Sequence, residues 1–297
     1  MSQQADAIII GAGIIGAATA FEMAKAGRRV VCIDKNPASG YGPTSSSCAI
    51  IRVHYSTVPG TAFAYEGYFY WRDWAEYLGV PDERGMAQFR QCGCMVMRTK
   101  ANEFLEKHTN ICDTLEIPYE IWNGAQIKAK LPLFNLTSYF PPRRMEDEGF
   151  GEPVEGEVES AVWWPTAGYI TDPQLATHNL QMAAQAHEAK FLFGRRVTAI
   201  TSSDGQVSGV ELDDGTSIHA PIVINVAGPH SSVINKMAGV LDDMTITTRA
   251  LKQEVVHVPS PSNFNFTDDG TVVSDGDISC YSRPEHGNHI LIGSEDP

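Results

Sequence analysis

Apolar residues recur along the chain in short runs broken by glycine, proline and serine. Ala7–Ile10 is one such run before a glycine turn, the pattern of a strand buried on both faces. Ile14 to Ala26 is alanine-rich, includes Phe21 and Met23, and reads as a helix ended by Gly27. Arg29 to Ile33 is the next strand, closed by Asp34. Strand, turn, helix and strand within about 30 residues make a βαβ unit. Residues 36–47, rich in Gly, Pro and Ser, read as a loop.

Thr61 to Leu78 predicts a helix crowded with rings, among them Phe63, Tyr65, Tyr68, Phe69, Trp71 and Trp74. Such a stripe usually packs, so burial between domains is expected, with some rings left to line a channel. Cys94 to Arg98 reads as a strand and Asn102 to Leu115 as a helix. Residues 141–160 hold Arg143 and Arg144, then Glu146, Asp147, Glu148, Glu152, Glu155, Glu157 and Glu159, and are expected to form a solvated insertion or mobile loop. Thr171 or Asp172 caps a helix that starts at Pro173 and runs to about Ala189.

Strand-like runs follow at 190–193, 196–202 and 206–212, and Asp213-Asp214-Gly215 turns the chain into 216–219. Residues 222–226 are another buried strand, running through Ala227-Gly228-Pro229 into a helix of about ten residues. Beyond 246 the chain is strand-rich, with runs at Leu251–Val258, Thr271–Ser274, Ile278–Ser282 and His289–Ile292. No internal repeat is visible.

The chain has 297 residues, enough for two packed domains. Hydrophobic residues make up 43% and charged residues 20%, as in soluble proteins. Lys plus Arg is 22 and Asp plus Glu is 36, a net charge of −14 that repels phosphate backbones, so nucleic acid is not an expected partner. Six cysteines in a chain of this length suit reduced thiols and a cytoplasmic setting. Cys92 and Cys94 form a lone C-x-C without a second ligand pair, so no metal is expected. The apolar stretch 7–21 is short for a membrane span and interrupted by glycines, so no membrane insertion is expected.

The glycines are spaced as Gly11-Ala12-Gly13-Ile14-Ile15-Gly16, between strand and helix, with Asp34 at the end of the second strand. That context gives the spacing a mechanism. Gly11 permits the tight turn, Gly13 the approach of a pyrophosphate, and Gly16 close packing of helix on strand. The helix start offers free N–H groups and partial positive charge to phosphates. Asp34 can accept hydrogen bonds from ribose hydroxyls and disfavours a 2′-phosphate. The motif fits FAD or NAD. A second small-residue turn, Ala227-Gly228-Pro229 after the late strand, allows another close approach at Gly228.

With these stand the stretches TSSSCAIIRVHY (Thr44–Tyr55), WWPTAGYITDP (Trp163–Pro173), RRVTAI (Arg195–Ile200) and NVAGP (Asn225–Pro229). Taken in order, they make the chain resemble the D-amino-acid oxidase / sarcosine oxidase family of FAD-dependent oxidoreductases, and the stretch around Ile50-Ile51-Arg52 is most similar to sarcosine oxidases and their β-like subunits. The resemblance implies an α/β fold: a Rossmann-like, glutathione-reductase-type FAD-binding domain over 1–80 and 165–245, interleaved with an α+β substrate domain over 81–164 and 246–297 on a mostly antiparallel sheet. It implies FAD as cofactor, held by Gly11, Gly13, Ile14, Ile15, Gly16, Asp34, Lys35, Ser45, Ser46, Ser47, Val197, Ala227 and Gly228. Arg52 matches the arginine that holds the substrate carboxylate, which suits a guanidinium fork. Lys252 corresponds loosely to a lysine near the flavin. His54, Tyr281 and Arg283 are further substrate-side candidates.

The implied activity is oxidation of the C–N bond of a small carboxylate-bearing amine by hydride transfer to flavin N5, with oxygen or an electron acceptor protein taking the electrons, and an oligomer or partner subunit fits the family. Relatives continue through a C-terminal segment that returns to the nucleotide domain; here the sequence ends at Gly293–Pro297, and that segment is expected to be absent. An FAD-binding subunit or fragment without its own turnover is the alternative, and an NAD-dependent dehydrogenase a more distant one.

Overall fold

The computed structural model describes residues 3–294; residues 295–297, named above at the end of the sequence, lie outside the described residues. The chain divides into two compact units. One takes the chain up to Ser47, Trp74–Ala87 and Asp172–Leu251, and the other takes Cys48–Asp73, Gln88–Thr171 and the chain from Lys252 on.

The first unit is built on a parallel sheet in the order Lys190–Phe193, Val30–Asp34, Ala7–Ile10, Val223–Asn225. Ala7–Ile10 is central and wholly buried, as its unbroken apolar run predicts. Alternate residues serve opposite faces. Ile8, Ile10, Val31 and Ile33 join a core with Val197, Val210, Leu212 and Ile218 from an antiparallel meander, Val197–Ser203, Gln206–Leu212 and Ser217–His219. Helices Ile14–Lys25 and Pro173–Ala186 pack on each other. Their alanines, Ala17, Ala20, Ala176 and Ala183 among them, are fully buried and keep that packing close. The second helix begins where the sequence places it, with Asp172 Oδ1 accepting the N–H of Leu175 at 2.9 Å.

The Trp74–Ala87 segment is tied to the Pro173–Ala186 helix by His178, whose Nδ1 lies 2.6 Å from Asp82 Oδ2, and by the Asn179 amide. Asn179 Oδ1 accepts from Trp74 Nε1 at 3.2 Å and from the Ala87 N–H at 2.9 Å. Its Nδ2 donates to Asp82 Oδ2 at 2.7 Å and to the Gly85 carbonyl at 2.9 Å.

The second unit holds a seven-stranded sheet in the order Val255–Pro259, His289–Ser294, Cys280–Glu285, Val272–Asp275, Cys94–Met97, Ser160–Trp164, Glu120–Asn123. Every pairing is antiparallel except that of Val272–Asp275 with Cys94–Met97, so the sheet is the mostly antiparallel one expected. Cys94, Val96, Val162 and Trp164 face a core with Tyr68, Leu105 and Cys112. Met95, Met97 and Ala161 face the other, with Ile127, Leu131 and Phe266. A small sheet of Ile50–Ile51, Gly168–Ile170 and Phe89–Arg90 completes the unit.

The structure departs from the sequence reading at several elements. Residues 48–73 belong with the second unit rather than the first, because Val53 and Tyr68 are buried in its core. Residues 81–87 and 246–251 move the other way, and 165–171 join the second unit. The aromatic stretch is two helices, Val58–Arg72 and Trp74–Leu78, broken at Asp73, whose carboxylate binds Arg72 at 2.6 Å. The first starts earlier than expected, capped by Thr57 with Pro59 in its first turn. The helix after Pro229 is short, Ser231–Met237. The strand expected from Leu251 begins only at Val255. Residues 141–156 carry no helix or strand and are mostly exposed, as expected of the acidic insertion. Its base is nonetheless pinned: buried Asp277 accepts from Ser138 Oγ at 2.6 Å and from the Tyr139 N–H at 3.0 Å. No helix among the described residues is long and apolar enough to cross a membrane.

Replacing Asn179 by alanine withdraws two acceptor and two donor contacts from a site only 2% exposed. The expected cost is about 3 kcal/mol in urea unfolding, since each buried polar group left unpaired costs roughly 1–3 kcal/mol. Gln185→Ala, which removes one exposed side-chain contact on the same helix, is expected to change stability by less than about 0.5 kcal/mol.

Candidate functional site

In the first unit the strand order reverses at Ala7–Ile10: the chain moves to Val30–Asp34 on one side and returns at Val223–Asn225 on the other. Ligands of open parallel sheets bind beyond the strand ends at such a reversal. A cleft of about 730 Å³ lies there. Gly11, Gly13, Ile14, Ile15, Asp34, Lys35, Val197, Ala227 and Gly228 all border it, so the structure brings together nine residues that the sequence had singled out.

The floor is backbone because side chains do not fit. Gly11 adopts φ +110°, and a Cβ there would run into the Val226 carbonyl. Gly16 does not border the cleft; a Cβ on it would strike the Gly11 carbonyl, so it sets how closely helix meets strand. Gly13 precedes the Ile14–Lys25 helix in extended conformation, and the first N–H groups of that helix have no partner one turn earlier. One of them, on Ile14, donates to Thr44 Oγ1 at 3.3 Å. The others, with the helix dipole, leave a partially positive rim suited to phosphate oxygens.

Asp34 ends its strand beside this rim. Its Oδ2 accepts from the Ala12 N–H at 2.7 Å and its Oδ1 from the Asn36 N–H at 2.8 Å. These bonds fix the carboxylate, and each oxygen keeps a further lone pair for a ligand hydroxyl. The set fits a dinucleotide: a glycine floor, unpaired helix N–H groups for a pyrophosphate, and an oriented acid for a ribose.

Ser45, Ser46 and Ser47 are exposed and do not border the cleft. The turn that begins at Gly40 points them outward: the Ser45 N–H donates to the Gly40 carbonyl at 3.0 Å and its Oγ to Gly42 at 3.0 Å. Thr44, the residue before them, borders the cleft instead. Tyr41, Arg195, Arg196 and His230 also line it and were not singled out. The two arginines sit immediately before Val197, within the RRVTAI stretch, and only tertiary placement shows that they border the cleft.

The substrate-side candidates belong to the second unit. Arg52 is exposed, its guanidinium 4.5 Å from the centre of the Tyr55 ring. Arg283 is 2% exposed and each of its three nitrogens has an acceptor: Nε the Cys48 carbonyl at 2.5 Å, Nη1 the Pro284 carbonyl at 2.6 Å and Nη2 the Glu285 carboxylate at 3.0 Å. It joins chain segments rather than facing a ligand. Tyr281 pairs with Gly293 in the sheet, and its hydroxyl lies 3.8 Å from Cys48 Sγ. Lys252 is exposed and bound to Glu254 at 2.7 Å, and it does not border the cleft.

His54 is buried and stacks on Trp164 at 3.8 Å, with His108 at 5.7 Å. The Nδ1 atoms of both histidines are shut in without a hydrogen-bond partner among the described residues. Burial, then the charge of Arg52 and the neighbouring His108, lowers the His54 pKa to about 3. His54 is therefore a neutral packing ring beneath the Arg52 segment.

A family profile described as FAD dependent oxidoreductase (DAO) matches residues 6–297. No curated protein matches the chain significantly. Among solved structures, it is similar to the L-proline dehydrogenase of P. horikoshii, at 21% identity and a TM-score of 0.77 over 99% of this chain and 70% of that one. The glycine oxidase of Geobacillus kaustophilus gives 21% and 0.76 over 99% and 71%. The iminodiacetate oxidase of Chelativorans sp. BNC1 gives 19% and 0.69 over 98% and 72%. Likeness at this identity shows a shared fold.

The buried histidine makes stability depend on pH. Its folded pKa of about 3 lies below the ordinary value of about 6.5, so below pH 6.5 the unfolded chain binds the proton first. Stability is complete above pH 6.5 and falls as the pH drops towards 3. His54→Phe, which keeps a ring against Trp164, is expected to remove about 2 kcal/mol of the loss between pH 7 and pH 5, measured by urea unfolding at both.

Proposed function

The chain belongs to the DAO family of FAD-dependent oxidoreductases, and from that premise we propose that its first unit holds FAD and that the protein oxidises the C–N bond of a small amino acid or N-methyl amino acid. The observation that carries the reading is the cleft at the sheet reversal, where glycine floor, helix start and Asp34 meet. The solved structures named above support the substrate class: proline, glycine and iminodiacetate are all small amines that bear a carboxylate.

In this reading the Gly11–Gly16 turn and the first N–H groups of the Ile14–Lys25 helix take the pyrophosphate, and Thr44 steadies that turn from the side. Asp34 accepts from the adenosine ribose, and Val197 gives a buried wall. When bound, FAD would supply the two-electron acceptor for oxidation of the C–N bond. Arg52 holds the substrate carboxylate: it makes no ion pair among the described residues, and the Tyr55 ring orients its planar fork. His54 and Trp164, stacked below, support the segment from which Arg52 projects. Oxygen or an electron acceptor protein then takes the electrons.

The purified chain, incubated with FAD and desalted, is expected to keep the visible flavin absorption. Gly13→Val, which places branched carbons where only 3.1 Å separates a Cβ from Thr44 Oγ1, is expected to come through colourless. A colourless unmodified chain refutes the cofactor assignment. Bound flavin that no amine bleaches under anaerobic conditions refutes the catalytic one.

Arg52→Met tests the carboxylate role separately. It is expected to raise KM for carboxylate-bearing amines about 10-fold or more, with a smaller change in kcat, as the loss of a charge-assisted pair predicts. Equal kinetic constants for the variant and the parent would remove Arg52 from the site.

A further inference from the structure

We propose that the second unit carries a separate binding site for a small carboxylate on an apolar body, in the cavity between Phe89–Gly93, Trp163 and the Thr267–Gly270 turn. The cavity measures about 530 Å³, within the range of small-ligand pockets, and none of its lining residues belongs to the first unit.

Its wall reverses the charge of the rest of the chain. Arg90 and Lys130 face it against the one carboxylate of Asp268, a local balance of 2 − 1 = +1 in a protein of net charge −14. Arg90 and Asp268 are 4.0 Å apart, with side chains 47% and 65% exposed. Such an exposed pair is weak and leaves the guanidinium free to take a better acceptor. Lys130 makes no ion pair among the described residues. The charges of Lys130 and Arg283 oppose the burial that pushes the Cys92 thiol, on the same wall, up to about 11.

The third donor is Tyr169. It is 3% exposed, one face of its ring is covered by Arg283 at 4.4 Å, and its hydroxyl makes no hydrogen bond among the described residues. The hydroxyl is not among the buried polar atoms left without a partner, so solvent reaches it and it is open to a ligand acceptor. Burial and the neighbouring Cys92 raise its pKa, so near pH 7 it is a neutral O–H donor.

The other polar groups on the wall are already engaged. Gln91 accepts from Tyr68 at 3.1 Å and donates to the Pro165 carbonyl at 3.0 Å. The Thr267 hydroxyl donates to Glu285 at 2.6 Å, and the Gly93 carbonyl receives Thr271 at 2.9 Å. The wall therefore offers two cations and one hydroxyl beside the single Asp268 carboxylate, so donors outnumber acceptors and the ligand supplies the further acceptors. Phe89, Trp163 and Pro165 supply the apolar remainder. Gly93, at φ +77°, is what lets the Trp163 ring close in, since a Cβ there would strike it. A single net positive charge beside rings suits a monocarboxylate better than a phosphate.

Isothermal titration of the purified chain with phenylacetate tests this, with phenylacetamide and inorganic phosphate as comparison probes. Phenylacetate is expected to bind with a dissociation constant on the order of 1 mM or tighter, and the neutral amide about 10-fold more weakly. Lys130→Gln and Arg90→Gln are each expected to weaken phenylacetate about 10-fold and Tyr169→Phe several-fold, with unchanged circular dichroism. Saturating FAD is expected to leave the constant unaltered, which separates this site from the proposed flavin cleft. Absence of phenylacetate binding at tens of millimolar, equal binding of the amide, preference for phosphate, competition by FAD, or insensitivity to all three substitutions would each overturn the proposal.

Discussion

Three stretches of backbone meet around Gly11 with no room for a side chain, and the first unit is organised by that contact. A carbon on Gly11 would meet the Val226 carbonyl, and a carbon on Gly16 would meet Gly11 itself. The helix can therefore start against the end of the central strand, and the late strand can return beside both. From this follow the position of the helix N–H groups, the depth of the cleft and the placement of Asp34, whose carboxylate reaches back to the Ala12 N–H. Rossmann-type sites rely on backbone for phosphate because side chains would keep the ligand too far from the helix start.

Much of this was legible in the sequence because it is local. The glycine spacing, the apolar run before it and the acid after it lie within one stretch, and each has a single mechanical reason. The meander and the Asp172 cap were legible for the same reason. Thr44 was harder: it shares a loop with three serines of similar chemistry, and only the turn from Gly40 decides which hydroxyl faces inward. The Val58–Leu78 aromatics showed that the segment packs, without showing on which core. Tyr68 and Val53 answer that for the first of the two helices by lying with Trp164 and Val272, which moves the stretch up to Asp73 to the second unit and leaves Trp74–Leu78 with the first. Arg283 carried the opposite error. An arginine on a late strand invites a ligand role, yet burial and three acceptors show a fastener.

The two units use different means to keep their polar groups satisfied. In the first, one asparagine amide serves four partners and joins three loop and helix segments. In the second, a buried arginine with an acceptor at each nitrogen joins the Cys48 carbonyl to a sheet strand. Against that thoroughness the unpaired groups stand out. His54 and His108 leave nitrogens bare inside an aromatic core, an arrangement tolerated only while both rings are neutral.

The strand order of the first unit also bears on how the chain is made. Ala7–Ile10 leaves the ribosome long before Val223–Asn225, its neighbour on one side and the last strand of that sheet to be synthesised. Translation at roughly 5–20 residues per second leaves that edge open for on the order of ten seconds or more. During this interval a wholly apolar strand presents an unpaired hydrogen-bonding edge, the feature most prone to pair with another nascent chain. Biogenesis of the first unit is thus expected to depend on holding by chaperones, and yield on the rate of synthesis, although the finished sheet buries the same strand completely.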